Sequence, residues 1–419
     1  MTQVVVIGGG VVGLASAIEL LRDGHAVTIV EPGTPGGEQA ASYGNGTLLN
    51  PSSVVPMSSP GLWKKVPGFL LDPLGPLTIR WSYLPRLLPW LRRFVQAGST
   101  AAKVAATGRA LQPLLANAPA LHRALAEEVG VGDLITRQGV LFAFPDRSAF
   151  EAEALSWKTR RDNGVKWLEL DADELRQREP SLDRHYTFAV LIEENGQCRD
   201  PGAYVAALAS HAAAQGAKIV RSGATGFRID AGRLRAVTTR DGEIACDKAV
   251  IAAGAWSKVL AAAAGDKVTL ETERGYHAVI ADPGIEPRYP MMPSDGKMAC
   301  VMTPAGLRLA GQVELAGLDA APNWKRAEVL LAFARKVYPG LPADLPPERV
   351  KLWMGHRPST PDGLPCLGLA SGCADIVHAF GHGHVGLTAA ATTGKVVATL
   401  IAGRKPPFDL TPYAATRFQ

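Results

Sequence analysis

Gly8-Gly9-Gly10-Val11-Val12-Gly13 is the first place in the chain where residue type and spacing converge on chemistry. The run follows an apolar stretch, Val4 to Ile7, and opens helical text, the context in which G-x-G-x-x-G reads as a turn built to receive a pyrophosphate. Gly8 permits the tight turn, Gly10 lets the backbone approach the phosphates, and Gly13 lets helix and strand pack closely. The helix start at Val11 and Val12 offers free N–H groups and a positive dipole end. Glu31 closes a second apolar run, Ala26 to Val30, where its carboxylate is placed to accept from adenosine ribose hydroxyls and to repel a 2′-phosphate, so NADP is disfavoured.

Two further clusters lie near the C-terminus. Gly381-His382-Gly383-His384-Val385-Gly386-Leu387-Thr388 is a second glycine turn between strand-like and helical text, with no acid placed for a ribose. The first fingerprint does not separate FAD from NAD, but this turn favours FAD. A helix N-terminus here would face the flavin ring, where its dipole stabilises negative charge on the reduced flavin. Arg357 stands in Gly355-His356-Arg357-Pro358-Ser359-Thr360-Pro361-Asp362-Gly363, a loop stiffened by two prolines. Its guanidinium is a rigid fork, charged at any working pH, that grips a carboxylate through two parallel hydrogen bonds. A Ser/His/Asp or G-x-S-x-G constellation is missing.

The elements that must position these residues alternate strand and helix, so the fold class expected is α/β. Val4–Ile7, a helix from Val11 to Asp23 and Ala26–Val30 form a βαβ start. Residues 40–60 read as an irregular loop, 62–94 as a proline-punctuated apolar and basic stretch, and 100–129 as alanine-rich helix. A helix from Gly202 to Gln215 and strands at 218–221, 248–252 and 375–380 return to the first domain. Strand candidates at 276–280 and 307–311 belong to the second. With 419 residues the chain has room for two domains. The net charge of +5 is too diffuse to imply nucleic acid, and five scattered cysteines, Cys198, Cys246, Cys300, Cys366 and Cys373, indicate neither a disulfide framework nor a metal site. With no secretory h-region and no run of about 18 apolar residues, a cytoplasmic location is expected.

Three segments, Val4 to Glu31, Trp353 to Pro365 and Gly381 to Thr388, together resemble the FAD-dependent amine and amino-acid oxidoreductases that include D-amino acid oxidase, glycine oxidase and, most similar, the bacterial D-amino acid dehydrogenases. The G-x-R-P-x-T-P-D-G-x-P stretch is the most specific part, and Gly275-Tyr276 and Ala252-Ala253-Gly254 fall in the family's order. The resemblance implies non-covalent FAD in a Rossmann-like domain of the glutathione-reductase type over residues 1–60, 200–265 and 351–419. A mixed-sheet substrate domain would take 61–199 and 266–350. It implies that Arg357 holds the substrate carboxylate, that Tyr276 donates to the carboxylate's second side, and that His384 lines the pocket. FAD contacts would come from the first fingerprint, Glu31, Pro32, Ser42, Asn45, Gly46, Thr225, Ala253, Gly254, and from Gly381, Gly383, His384, Val385, Gly386, Leu387 and Thr388.

The activity implied is oxidative deamination of a D-amino acid by hydride transfer to flavin N5, giving an imine and then a 2-oxo acid. Electrons would pass to a quinone or another acceptor. A secondary amino acid such as proline, cis-4-hydroxy-D-proline, sarcosine or glycine is the alternative substrate. The stretch 62–94 mixes Trp63, Phe69, Leu70, Leu71, Trp81, Tyr83, Leu87, Leu88, Trp90 and Leu91 with Lys64, Lys65, Arg80, Arg86, Arg92 and Arg93, a composition suited to a peripheral contact with the inner face of the membrane. A flap packed on the core explains it equally well. Rivals from other classes are an NAD-dependent dehydrogenase, a flavin enzyme acting on modified RNA and a non-enzymatic redox sensor.

Overall fold

The computed structural model describes residues 1–71, 75 and 77–419, with the side chains of Lys65, Pro67, Phe69, Leu70 and Leu71 outside the described set. Strand Gln3–Ile7 is buried on both faces from Val4 onward, as a central parallel strand rich in valine must be. It lies in a six-stranded sheet ordered Lys218–Val220, Ala26–Val30, Gln3–Ile7, Lys248–Ile251, Ile376–Phe380 and Cys366–Leu369. The first five are parallel and the last is antiparallel to its neighbour. Helices Val11–Arg22, Pro201–Ala214 and Gly386–Ile401 cover one face with a core that includes Leu14, Ile18, Leu208 and Val397. A three-stranded antiparallel sheet, residues 224–245, and helix Ser257–Ala263 cover the other.

The second sheet is mixed. Its main path runs Val350–Ser359, Glu271–Ile280, Gly306–Leu315, Met298–Thr303, Met291–Pro293, Val140–Phe144, Phe188–Ile192 and Leu168–Leu170, with Leu77–Ile79 added beside the end of Gly306–Leu315. Helix Lys325–Val337 packs on one face of it, burying Tyr276, Leu309, Leu330 and Val337 together. The opposite face looks towards the first sheet.

Several expected boundaries move. Strand Val350–Ser359 pairs over ten residues with Glu271–Ile280, so the chain re-enters the first sheet after Ser359 and not at 351. The alanine-rich text is two helices, Ala101–Leu115 and Ala118–Glu128, because Asn117 takes the left-handed conformation at φ +57 between them. The stretch 62–94 holds helices Leu62–Leu71 and Leu84–Ala97, with residues 72–74 and 76 outside the described set. All five cysteines are free and buried. Among the described residues no helix is long and apolar enough to cross a membrane.

Candidate active site

Between the two sheets lies a cavity of about 1490 Å³, larger than the few hundred to about a thousand Å³ typical of a drug-sized ligand. One end is the first fingerprint. Gly8 sits at φ +116, and a Cβ there would stand 2.4 Å from the Ala252 carbonyl oxygen. A Cβ on Gly13 would lie 2.0 Å from the Gly8 oxygen, so this glycine is a packing requirement and does not line the cavity. Glu31 accepts from the backbone N–H groups of Gly9 at 2.7 Å and Gly33 at 2.9 Å, which fixes its carboxylate at the cavity edge. The Val11 amide donates to Ser42 Oγ at 3.1 Å. Pro32, Ser42, Asn45, Gly46, Thr225, Ala253 and Gly254 line the same space.

At the other end, Gly381, Gly383, His384, Gly386, Leu387 and Thr388 form the wall, and helix Gly386–Ile401 opens there without a side-chain cap or an acidic residue in its first turn. Val385 points into the helical core instead. Thr388 Oγ1 accepts from the Asn50 amide and donates to the Leu48 carbonyl, both at 3.3 Å, tying the loop after Gly46 to the first turn of this helix.

Arg357 faces the cavity from strand Val350–Ser359. Its guanidinium lies over Gly275 and donates to the carbonyls of Gln312 at 2.9 Å and Gly311 at 3.3 Å. Glu273 is paired with Arg357 in the sheet register, and its buried carboxylate takes a 2.6 Å hydrogen bond with His384 Nε2. Burial alone would raise the Glu273 carboxyl, but His384 and Arg357 outweigh it and hold the group below the usual range. Burial lowers Arg357 while Glu273 works the other way. His356 and His382 also line the cavity, and burial brings each to about 4, so both are neutral at pH 7.

Tyr276 does not take the expected place. Side chains alternate across a strand, so Glu273, Gly275 and His277 share the cavity face while Tyr276 points to the other. Its hydroxyl donates to Glu314, accepts from the Asn323 amide at 2.9 Å, and lies in the core under helix Lys325–Val337. Glu273 and Gly9 were not singled out in the sequence. The only available signal for Glu273 was its position two residues before Gly275.

A glycine turn and an acid on adjacent parallel strands, joined through one cavity to an arginine fork, are the arrangement of a dinucleotide-dependent oxidoreductase. The chain belongs to the FAD dependent oxidoreductase (DAO) family, whose model matches residues 3–400. It is 58% identical over 416 residues to the D-amino-acid oxidase of Bradyrhizobium diazoefficiens, covering 99% of each chain. It is 30% identical over 427 residues to the D-amino acid dehydrogenase 2 of Ralstonia nicotianae, covering 99% of this chain and all of that one. Among solved structures, glycine oxidase from Geobacillus kaustophilus superposes with a TM-score of 0.76 at 25% identity, over all of this chain and 99% of the other.

The residues present fit FAD. A Cβ on Gly10 would meet only Ser42 Oγ, at 3.4 Å, and one on Gly46 nothing nearer than 3.7 Å. These two glycines therefore keep space clear for a ligand and not for protein packing. FAD, the expected cofactor, is that of the family, and the rival reading of an NAD-dependent dehydrogenase falls away.

Proposed function

We propose that this enzyme oxidises a D-amino acid to an imine, which water hydrolyses to a 2-oxo acid and ammonia. The observation that carries this reading is the placement of Arg357 in the wall of the same cavity as the uncapped start of helix Gly386–Ile401, with Glu273 and His384 linking the two. The substrate preference follows the relative of 58% identity, which bears the name D-amino-acid oxidase.

FAD, when bound, supplies the acceptor for the hydride leaving the substrate Cα. The chain's residues do the rest. Arg357 exchanges its backbone carbonyl partners for the substrate carboxylate and so fixes the Cα. A cation beside a desolvated ammonium favours proton loss, which leaves the neutral amine that oxidation requires. Glu273 keeps His384 and Arg357 in place. Trp90, Leu91 and Phe94 wall the site off from water, with Trp90 stacked on Phe94 at 4.8 Å and donating to the Ser359 carbonyl at 3.0 Å.

The described residues of the stretch 62–94 thus present two faces. Leu87 and Trp90 are buried, whereas Trp63, Trp81 and Leu88 are each more than half exposed. We assign the exposed face to a peripheral membrane contact through which a quinone would be reached. Phe69, Leu70, Leu71 and Lys65 of the same stretch lie outside the described side chains.

Anaerobic mixing of the yellow protein with D- and L-amino acids, prolines, sarcosine and glycine tests the substrate, and re-oxidation by oxygen or a quinone tests the acceptor. Bleaching by D-amino acids is expected. Bleaching by secondary amines alone overturns the primary-amine reading. Sedimentation with anionic vesicles tests the membrane contact, and binding that ignores salt or is lost entirely counts against it.

A further inference from the structure

Past Leu48 and Met292 the cavity continues into an arm bounded by Glu153, Ser156, Arg160 and Lys297. Arg160 rises from helix Ala154–Asp162, and its guanidinium lies over the rings of Trp157 at 4.6 Å and Phe142 at 5.3 Å. Nε and Nη1 are buried with no hydrogen-bond partner, and no ion pair reaches the group among the described residues. Aromatic faces attract a cation, but guanidinium donors radiate in the plane of the group, so stacking leaves them unmet. A buried donor without an acceptor is costly, and the acceptor that suits a planar fork is a carboxylate.

The surroundings favour an anion. Lys297 Nζ is already committed to Glu153 at 3.0 Å, so the arm holds two cations and one carboxylate. Burial brings Arg160 down to about 10, against the pull of Glu153, and the group stays charged at pH 7.

The arm is also joined to the reacting end. Leu48 packs into the aromatic cluster of Phe142 and Trp157, and its carbonyl is held by Thr388 at the start of the terminal helix. Met298, next to Lys297, pairs with Gly311, whose carbonyl accepts from Arg357. Between the two arginines the sheet presents the small residues Ala299 and Ala310, which leave room for a substrate chain.

We propose that Arg160 receives a second carboxylate, at the far end of the substrate's side chain, so that the preferred substrates are acidic D-amino acids held at both ends by arginine. The proposal rests on the function inferred above and names its substrate class.

Flavin reduction rates with D-aspartate, D-glutamate and D-2-aminoadipate, each against its uncharged amide, test this in the wild type and in Arg160→Met, which keeps an apolar stem on the two rings. At one of the three lengths the acid is expected to exceed its amide by roughly ten- to a hundredfold in kcat/KM. Arg160→Met should erase that ratio, leave the amide's value unchanged and retain full flavin content, while Arg160→Lys restores part of it. Equal rates for acid and amide at all three lengths overturn the proposal, as does an equal loss for both in Arg160→Met. Thermal shift gives a readout without turnover. Glutarate should raise the wild-type Tm more than butyrate does, and the two should match in Arg160→Met. If no amino acid bleaches the flavin, the function inferred above fails, and the glutarate comparison still decides whether the arm binds a dicarboxylate: a larger shift supports the subsite and an equal one removes it.

Discussion

The guanidinium of Arg357 rests on the bare α-carbon of Gly275, so close that a Cβ there would stand 2.1 Å from its Cζ. Gly275→Ala must therefore push the fork away from its position without touching its chemistry. Displacements of about an ångström at a positioning group cost roughly a hundredfold in rate, and that loss in kcat/KM is expected here with flavin content unchanged. Arg357→Ala should raise KM by about two to three orders of magnitude, the usual cost of removing one partner of a buried charge pair. An unchanged kcat/KM in Gly275→Ala, or an unchanged KM in Arg357→Ala, would remove the carboxylate clamp.

Glu273 is 5% exposed and takes its place between a cation and His384. Because its folded-state pKa lies below its ordinary value of 4.5, it adds stability above that pH and loses it as pH falls through the folded value. Glu273→Gln should thus cost about 1.5–3 kcal/mol at pH 7, the range for hydrogen bonds to charged groups. The gap between wild type and variant should close in acid, as urea unfolding at pH 7 and pH 4 will show. A gap that is constant with pH would mean the carboxylate contributes shape and not charge.

Much of this arrangement was legible in the residues. Val4–Ile7, the glycine turn and Glu31 fall where a βαβ unit must put them, because local sequence alone dictates a buried strand, a tight turn and a helix start. Arg357 drew notice because Pro358 and Pro361 follow it, but the loop expected around it is the end of strand Val350–Ser359, whose pairing with Glu271–Ile280 no local sequence dictates. Tyr276 was misread because the face a strand residue presents depends on parity, and parity follows from which neighbour is taken as inward-facing. Gly275, with the Arg357 fork lying across it, fixes that parity in the fold, and nothing in the linear sequence brings residues 275 and 357 together. The same holds for Glu273 and Arg160, whose roles depend on partners in distant strands and helices.

The two kinds of glycine in the fingerprint should separate on substitution. Gly10→Ala adds a methyl group that meets only Ser42 Oγ, at 3.4 Å, and otherwise fills ligand space. The variant should fold with nearly wild-type Tm when stripped of flavin and bind FAD at least tenfold more weakly. Gly13→Ala puts its methyl 2.0 Å from the Gly8 oxygen, where helix and strand must part, and should lower the Tm of the flavin-free protein outright. Flavin fluorescence titration and thermal denaturation of both apoproteins check this. Equal Tm losses would mean Gly10 also serves packing.

Acid should unfold the protein through its histidines. His122, His277 and His382 are buried, and burial lowers them to about 4, about 3 and about 4 from the usual 6.5. A histidine whose folded pKa is depressed stays neutral in the fold while the unfolded chain takes up its proton. Stability is therefore complete above pH 6.5 and falls as pH drops from there towards 4. Each extra proton bound by the unfolded state contributes about 1.4 kcal/mol per pH unit. Three together approach about 4 kcal/mol per unit near pH 5, before any carboxylate adds to the slope. Urea midpoints measured from pH 7.5 to 4.5 give that slope directly. His277→Asn should lower it by about 1.4 kcal/mol per unit, whatever it does to stability at pH 7.5, and an unaltered slope in that variant would show that His277 is protonated in the folded protein.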